Sequence, residues 1–197
     1  IYFPGVLLNQ KTKCSPEEIY VAFISDIHIG SIYFLEKEFE LFIKWLNGEY
    51  GNNKQKQIGK KIKYLFVVGD IVDGVGVFPG QEELQNIKNI KEQYKVCASL
   101  FRKIRDDIVI IISPGNHDAV RIAEVQPVLD KNIAHALWEL PNVIMVPNPC
   151  MVSINKSEKF EGIDILIYHG YSFDYYIRNI DKIRNNGGFN RPDLVMK

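Results

Sequence analysis

The sequence is poor in cysteine, and the few cysteines it has form no recognisable pattern. Its 197 residues include three, Cys14, Cys97 and Cys150, which are odd in number and far apart. No C-x-x-C pair occurs, which argues against a disulfide framework and against a zinc knuckle. A chain of this length hides roughly 70% of its unfolded surface and needs no such cross-links. We expect a single domain in a reducing compartment.

Long apolar runs and an excess of one charge are also missing. No apolar stretch approaches the ~18 residues that span a bilayer, and the first residues lack a signal-peptide pattern. Lysine plus arginine and aspartate plus glutamate both number 24, so the formal net charge is zero. An anionic partner must therefore be held by a local site rather than by a global field. We expect a soluble, cytoplasmic protein with no membrane partner.

The sequence does contain alternating short apolar strands and amphipathic helices. Strands are predicted at Tyr20–Ile24, Tyr64–Val68, Ile108–Ile112, Val143–Val146, Met151–Ile154 and Ile163–Tyr168. Helices are predicted from about Glu36 to Trp45, Gln81 to Ile104, Ile122 to Leu140 with a break at Pro127, and Phe173 to Arg184. The lysine-bearing segment Tyr50–Lys63 is predicted to be a solvated loop. This alternation is typical of parallel βαβ units and an α/β fold.

Four short polar clusters follow the ends of predicted strands. They are Asp26-Ile27-His28, Gly69 to Asp73, Gly115 to Asp118, and His169-Gly170. Each cluster alone is weak evidence, because Asp or His at a strand end is more often a turn or cap residue. Ligands nevertheless gather beyond the carboxyl ends of parallel strands, and three of the four histidines lie in these clusters. Together the clusters predict one site.

Carboxylate, amide and imidazole groups together suit divalent ions such as Mn, Fe, Zn or Ni better than calcium. A dinuclear centre needs a carboxylate that bridges its two ions. Asp70 is placed for that role, because Gly69 lets the chain turn sharply just before it. Asp26 and His28 alternate along a chain taken as extended, so they should bind one ion together.

The second ion is expected on Asn116 and His169. The neutral amide of Asn116 keeps the negative charge low enough to admit a phosphate. His117 follows Asn116 and is the candidate general acid or phosphate-charge stabiliser, since a histidine's unperturbed pKa near ~6.5 allows proton transfer near neutral pH. A surface-loop histidine is the alternative. Asp73 and Asp118 are candidates for orienting imidazoles by accepting their N–H protons, and Asp118 equally for a helix N-cap.

These clusters resemble the motifs of the calcineurin-like metallophosphoesterases, which are D-x-H, G-D-x-x-D, G-N-H-[DE] and a lone H, in that order. The resemblance implies a two-sheet β-sandwich flanked by helices and a two-metal phosphoesterase. It implies that His117 is the catalytic histidine. The metal ligands that it implies are Asp26, His28, Asp70, Asn116 and His169.

The residues around these motifs are similar to the small subunits of archaeal D-family DNA polymerases. The similar segments are Phe23–Ser31, Phe42–Gly48, Val68–Gly76, Ser113–Arg121 and Tyr168–Gly170. This resemblance implies a 3′–5′ exonuclease that prefers manganese, with Fe, Zn, Ni or Mg as alternatives. It also implies that the subunit removes misincorporated nucleotides from DNA 3′ ends and pairs with a large polymerising subunit.

The last motif of the family, G-H-x-H, does not occur, because no histidine follows His169. Two imidazole ligands that the family uses, one for each metal, are therefore absent from this chain. The family also carries an oligonucleotide-binding-fold domain upstream of this region. We expect residues 1–197 to be a phosphodiesterase domain truncated at both ends, with an incomplete second sheet and weak metal binding.

Two other functions stay open at this point. One is a non-catalytic scaffold subunit, as in the eukaryotic accessory subunits that share the fold but have lost the ligands. The intact polar cluster argues against it, since burying such groups costs several kcal/mol unless metal compensates. The other is a metallophosphatase or phosphodiesterase acting on a smaller phosphoester, because loops set specificity. Candidate DNA-contacting loops are Gly74–Gly80, Tyr171–Ser172 and Gly187–Arg191.

Overall fold

The protein is described here by a computed structural model that covers residues 14–186 and 195–196. A four-stranded parallel sheet in the order β1-β2-β3-β4 forms its centre. The strands of this main sheet are β1 (Tyr20–Ile24), β2 (Ile62–Val68), β3 (Val109–Ser113) and β4 (Val143–Met145). A second, antiparallel sheet pairs β5 (Cys150–Ile154) with β6 (Ile163–Ile167).

Helices flank the sheets. They are α1 (Glu36–Leu46), α2 (Asn53–Lys61), α3 (Ile90–Phe101), α4 (His135–Trp138), α5 (Phe173–Asn179) and α6 (Asp181–Arg184). No helix in the described ranges is long and apolar enough to cross a membrane. The predicted fold class, an α/β sandwich of two sheets flanked by helices, is confirmed.

Two apolar cores hold these layers together. The larger contains Tyr94, Cys97 and Phe101 of α3, which are almost fully buried in one cluster with residues of β2 and β3. The smaller lies between the sheets, where Phe66 and Ile111 belong to the same buried cluster as β5 and β6 residues. The central strands β2 and β3 are thus buried on both faces, which explains why they are continuous apolar runs.

The register of the main sheet brings several strand ends to one edge. Ile24, the last residue of β1, pairs with Val67, and Val68, the last of β2, pairs with Ser113 at the end of β3. The loops that follow these three strands therefore leave the sheet side by side. This edge is where the polar clusters of the sequence meet.

The helix predicted from Gln81 to Ile104 is wrong in its first half. A short 3-10 turn covers Gln81–Leu84, and α3 begins only at Ile90. Asn89 accepts the backbone N–H groups of Lys91 and Glu92 and so caps α3 at a point within the predicted helix. The apolar spacing continued across this cap, because the intervening residues pack without being helical.

The predicted loop Tyr50–Lys63 is also wrong, because most of it forms α2. Asn52 and Gln55 make a reciprocal capping box at its start, with Gln55 N–H donating to Asn52 Oδ1 over 3.0 Å. The indole N–H of Trp45 donates to the Gln55 carbonyl and ties α2 to α1. The lysines mark the exposed face of this helix rather than a loop.

Two further helix predictions were too long. Of the stretch Ile122–Leu140 only α4 is helical, and Pro127 lies in the irregular part before it. The stretch Phe173–Arg184 is divided into α5 and α6 at Ile180, whose backbone is extended. Strand boundaries differ from the predicted ones by two residues or fewer.

Candidate metal centre

The loops that follow β1 and β2 are held side by side by backbone hydrogen bonds. The N–H of Asp26 donates to the Gly69 carbonyl, and the N–H of His28 donates to the Asp70 carbonyl, both over 3.1 Å. Gly69 N–H in turn donates to the Ser113 carbonyl at the end of β3 over 3.0 Å. The D-x-H and G-D-x-x-D motifs are therefore brought together by an extension of the sheet's own hydrogen bonding.

The backbone at the expected ligands is left-handed, not extended. Asp26, His28 and Asp70 have φ angles of 54°, 52° and 51°. The sequence argument that Asp26 and His28 share a side because they alternate along an extended chain was therefore wrong in its reason. Non-glycine residues adopt this conformation rarely and at an energetic cost, and such outliers cluster at functional sites.

One group of donor atoms, which we call the Asp26 side, consists of Asp26, His28 and Asp70. His28 Nε2 lies 4.0 Å from Asp26 Oδ1 and 3.8 Å from Asp70 Oδ2. The ligand atoms of the three residues all lie within 4.8 Å of one another. On the other face of the imidazole, His28 Nδ1 lies 3.5 Å from Asp73 Oδ1, so Asp73 sits where it can orient this ring.

A second group, which we call the His169 side, consists of Asp70, Asn116 and His169. His169 Nε2 lies 3.4 Å from Asp70 Oδ2 and 3.2 Å from Asn116 Oδ1. Its Nδ1 lies 2.9 Å from the Val68 carbonyl, which fixes the ring. The same oxygen, Asp70 Oδ2, faces both sides, so the structure brings together all five expected ligands around one carboxylate.

The hydrogen-bonding pattern of His169 leaves room for a cation. A carbonyl only accepts, so the contact with Val68 places the proton of a neutral ring on Nδ1. The lone pair on Nε2 would then face the acceptor oxygens of Asp70 and Asn116, an arrangement that a proton or a metal ion must relieve. The oxygen and imidazole donors of both sides fit a borderline divalent ion.

The charges of this pair shift both pKa values. Burial disfavours the charged imidazole, but the hydrogen bond and charge of Asp70 outweigh it and raise the pKa of His169 to about 9. Burial also opposes ionisation of Asp70, yet the hydrogen bonds from His169 and from the His117 backbone lower its pKa below the ordinary value. Without metal, the site therefore holds an ion pair.

His117 lies beside the donor atoms with one ring nitrogen already occupied. Its Nδ1 is 2.8 Å from the Asp73 carbonyl, and its backbone N–H donates to Asp70 Oδ1 over 2.8 Å. The ring meets that of His28 edge-on, with 4.6 Å between centroids. Because the carbonyl binds Nδ1–H, Nε2 is the ring nitrogen that keeps a lone pair in the neutral ring.

Three buried glutamines hold the loop that carries Asp73, and sequence reasoning missed them. Gln85 and Gln81 donate to Asp73 Oδ2 over 2.7 and 3.0 Å. Gln93 donates to the Gly74 carbonyl and accepts its N–H over 3.1 and 3.0 Å. A signal was present for Gln93, which lies on the apolar stripe of α3 three residues after Ile90. A buried amide at such a position needs polar partners.

Asp118 has a different role from either of those predicted. Its carboxylate accepts the backbone N–H groups of Gly115, Ile71 and Val72 over 2.9, 3.4 and 3.4 Å. It therefore joins the loops after β2 and β3 instead of orienting an imidazole, and it caps no helix, since α4 begins only at His135. Burial, aided by the charge of Asp70, raises the pKa of Asp118 to about 6 despite these hydrogen bonds.

Two glycines allow the loops to approach this closely. A Cβ at Gly115 would overlap Asp70 Oδ1 and lie 2.8 Å from His169 Nε2. At Gly69, where φ is +83°, it would overlap the His169 imidazole and lie 2.9 Å from Gly115 Cα. A side chain at either position would push apart the donor atoms of the His169 side.

The candidate DNA-contacting loops border this centre only in part. Phe78, in the loop 74–80, lies 6.3 Å from the His117 ring, and Tyr171 is exposed just after His169-Gly170. The predicted segment Gly187–Arg191 lies outside the described residues.

Comparisons with known proteins show which proteins this chain is similar to. The family described as calcineurin-like phosphoesterase matches residues 19–196. The DNA polymerase II small subunit of Methanothermobacter thermautotrophicus is 43% identical over the whole chain, which covers 38% of that protein. The subunit of the same name from Methanocaldococcus jannaschii is 46% identical over 95% of the chain and 30% of its own length. For that of Pyrococcus abyssi the values are 41%, 99% and 30%.

The chain thus spans less than two fifths of the length of these curated relatives. The family match, in contrast, extends over almost all of the chain and includes every motif that surrounds Asp70. The resemblance drawn from the motifs is confirmed: the chain belongs to the calcineurin-like phosphoesterase family.

Proposed function

We propose that this chain is the phosphodiesterase region of an archaeal DNA polymerase small subunit and hydrolyses phosphodiester bonds at DNA 3′ ends. The observation that carries the proposal is Asp70 Oδ2, which faces His28 Nε2 and His169 Nε2 at 3.8 and 3.4 Å. A carboxylate oxygen between two sets of donors is what a dinuclear centre requires. The relatives' name, DNA polymerase II small subunit, supports DNA as the substrate class. The direction, that of a 3′–5′ proofreading exonuclease, is what the resemblance of the motifs implies.

Five side chains would hold two divalent ions, and we propose manganese as the preferred metal. Asp26 and His28 would hold one ion and Asn116 and His169 the other, with Asp70 shared. Bound there, such ions would draw charge from the phosphoryl oxygens and lower the pKa of the attacking water. The mixed oxygen and imidazole donors suit Mn, Fe, Zn or Ni; manganese is the ion that the resemblance implies, and Fe, Zn, Ni and Mg are the ions to compare.

His117 would act on the phosphodiester directly. Its Nδ1–H is bound to the Asp73 carbonyl, which fixes the tautomer and the ring orientation. Nε2 is therefore the atom that would meet the substrate, and in the protonated ring its N–H can donate a proton to the leaving oxygen or a hydrogen bond to the phosphoryl group. The backbone N–H of the same residue holds Asp70 Oδ1, so the general acid and the shared carboxylate are positioned together.

We also infer that the protein works in a complex with a large polymerising subunit. The support for this partner is the name of the relatives, DNA polymerase II small subunit, which match this chain over 99% or more of its length. In such a complex the exonuclease would receive a DNA 3′ end that the polymerase has extended wrongly.

The test is hydrolysis of single-stranded DNA by the full-length protein with Mn²⁺, compared with its His117→Ala variant. Removing a general acid lowers the rate by roughly 10²–10⁴, while metal binding, measured by titration, should persist. Unchanged activity in the variant would remove His117 from the mechanism. If the full-length protein shows neither metal binding nor hydrolysis, the non-catalytic scaffold is favoured. Hydrolysis of small phosphoesters but not of DNA would favour the third function considered above.

A further inference from the structure

An aromatic cleft opens next to Asp26, at the Asp26 side of the candidate metal centre. Its volume is about 360 Å³. The residues of the cleft that matter here are Phe34, Phe39 and Phe42 in its floor and Asp26, Tyr33 and Glu38 on its rim. We call it the aromatic cleft. Asp26 belongs both to this cleft and to the Asp26 side of the centre.

The aromatic cleft is already formed in the protein. The rings of Phe34 and Phe39 have centroids 6.0 Å apart, and those of Phe39 and Phe42 are 5.9 Å apart, so the floor is continuous. The rim loop is tied to the centre, because Ser31 N–H donates to the His28 carbonyl over 3.1 Å and Phe34 N–H donates to the Ser31 carbonyl over 3.2 Å. A ligand would meet fixed walls.

The chemistry of the aromatic cleft suits a flat, neutral group with amino donors. Tyr33 is 71% exposed and presents its ring to solvent at the rim. Aromatic rings exposed in this way stack nucleobases in proteins that bind single strands. The carboxylate of Glu38 disfavours a phosphate in the cleft, but it can accept the amino N–H of a base.

A second cavity, next to Asn116 and His117, differs in kind. It measures about 310 Å³, and Val75, Val77 and Ile122 are among its lining residues. His117 contributes one ring to this cavity, but its other walls are mostly aliphatic and offer little stacking surface. Of these two openings, the aromatic cleft is therefore the better site for a base.

We propose that the aromatic cleft receives a nucleobase of the single DNA strand whose phosphodiester lies at the candidate metal centre, with Tyr33 stacking on it. The proposal rests on the proposed function, since it takes DNA as the substrate. Because Asp26 lines both places, a base in the cleft belongs to a nucleotide at or next to the reacting phosphate. The cleft thereby makes the subunit sense whether that nucleotide carries a base.

The experiment measures binding of labelled single-stranded oligonucleotides to the full-length protein, with Ca²⁺ in place of the reactive ion. One oligonucleotide is unmodified, and two carry an abasic residue at the last or the next-to-last 3′ position. The wild-type protein should bind the unmodified strand roughly tenfold more tightly than one of the abasic strands. Tyr33→Ala should abolish this difference, and Tyr33→Phe should preserve it. Tyr50→Ala, which removes another exposed tyrosine, should also preserve it.

Hydrolysis of bis(p-nitrophenyl) phosphate with Mn²⁺ is measured in parallel, since this substrate has no base. If Tyr33→Ala leaves discrimination against the abasic strand intact, or weakens all strands equally, the inference is overturned whether or not hydrolysis persists. A third outcome is that Tyr33→Ala loses the discrimination while neither the wild type nor any variant hydrolyses the small substrate. That outcome would support the cleft and remove the proposed function. If Tyr33→Ala instead weakens association with the large subunit and leaves DNA binding unchanged, the cleft is a subunit contact and the inference is overturned.

Discussion

The two sides of Asp70 differ in solvent exposure and in the distances between their donor atoms. On the His169 side the imidazole is 8% exposed, and its Nε2 lies 3.2 and 3.4 Å from the partner oxygens. On the Asp26 side Asp26 is 57% exposed, and the corresponding distances from His28 Nε2 are 3.8 and 4.0 Å. One half of the candidate centre is narrow and buried, and the other is wider and open to solvent.

The difference follows from the elements that build each side. His169 comes shortly after β6, and its backbone N–H donates to the buried amide of Asn148 over 2.9 Å. Asp26 and His28 lie in a loop whose backbone is left-handed at both residues. A buried, ordered half holds its geometry without ligand, whereas an open half leaves space for substrate. The aromatic cleft borders the open half, which agrees with substrate entering there.

The largest effect is expected from a side chain that fills the space between the Asp26 side and the His169 side. In Gly115→Ala the new methyl group would overlap Asp70 Oδ1 and lie 2.5 Å from the Asp70 backbone nitrogen. Because the backbone and the shared carboxylate cannot both move aside, we expect a loss of about 3 kcal/mol in the free energy of unfolding and no metal binding. Denaturant unfolding and metal titration measure the two effects.

Gly80→Ala is the matched control. Gly80 has a φ of +78°, but a Cβ there would meet nothing within 4 Å. Its only cost is the left-handed backbone, about 1–2 kcal/mol, and metal binding should be unchanged. Metal binding that persists in Gly115→Ala as it does in Gly80→Ala would mean that close packing around Asp70 is not what Gly115 provides.

The next prediction concerns the ligands themselves. His169→Ala removes a donor from the His169 side and should weaken the binding of the more tightly bound metal ion at least ~100-fold. His28→Ala removes a donor from the Asp26 side and should weaken the binding of the other ion by ~10-fold. The physical reason is that the ordered side loses less entropy when an ion binds, so each of its ligands contributes more. Titration of the full-length protein with Mn²⁺, followed by its paramagnetic signal, resolves the two sites. The comparison fails if His28→Ala removes the tighter one.

The sequence located this centre because its logic is topological. Residues after the ends of parallel strands share an edge, so Asp26, Asp70 and Asn116 could be grouped from the sequence alone. His169 follows β6 of the antiparallel sheet, so its place at the centre does not follow from that rule. The order of the motifs then identified the family. Nothing in that reasoning needed the conformation of a single loop.

The parts that could not be predicted depend on loop backbone and on distant side chains. The left-handed angles of Asp26 and His28 arise because the loops after β1 and β2 pair with each other. The helix assigned to Gln81 and Gln85 was wrong because their amides bind Asp73, an interaction across a turn that periodicity does not register. Asp118 was misjudged for a similar reason, since two of its three backbone N–H partners, Ile71 and Val72, lie 47 and 46 residues away in the sequence.

A smaller change, Gln85→Met, should affect the Asp26 side alone. Gln85→Met keeps the length of the side chain but removes an N–H donor from Asp73 Oδ2. Asp73 Oδ1 faces His28 and not His169, so the imidazole of His28 should reorient while that of His169 stays in place. We expect a loss of about 1–2 kcal/mol in unfolding free energy, because a buried carboxylate keeps one unsatisfied lone pair. Imidazole resonances in NMR spectra report each ring separately.

Gln57→Met serves as the control for this variant, because Gln57 is an exposed residue of α2. It should alter neither stability nor any imidazole resonance. A shift of the His169 resonances in Gln85→Met would show that the glutamines support the whole centre, and the distinction between its two sides would lose one of its causes.

The smallest expected effect is a pH dependence confined to the ordered side. In the metal-free protein the pKa of His169 is about 9, against ~6.5 for an unfolded histidine. The folded protein thus binds this proton more tightly than the unfolded chain does. The stabilisation is complete below pH ~6.5 and declines as the pH rises through about 9. Thermal unfolding in EDTA should therefore show wild type above His169→Gln by a few degrees at pH 6.5 and equal to it near pH 10.

Metal should reverse this trend, because a neutral imidazole is the ligand. With Mn²⁺ present, the gain in melting temperature over the EDTA sample should grow as the pH rises towards 9, since less free energy is spent on removing the His169 proton. A gap between wild type and His169→Gln that stays constant from pH 6.5 to 10 in EDTA would mean that the pair with Asp70 is not ionic. The geometry of the His169 side would then depend only on packing and on the hydrogen bonds of His169 with Val68 and Asn148.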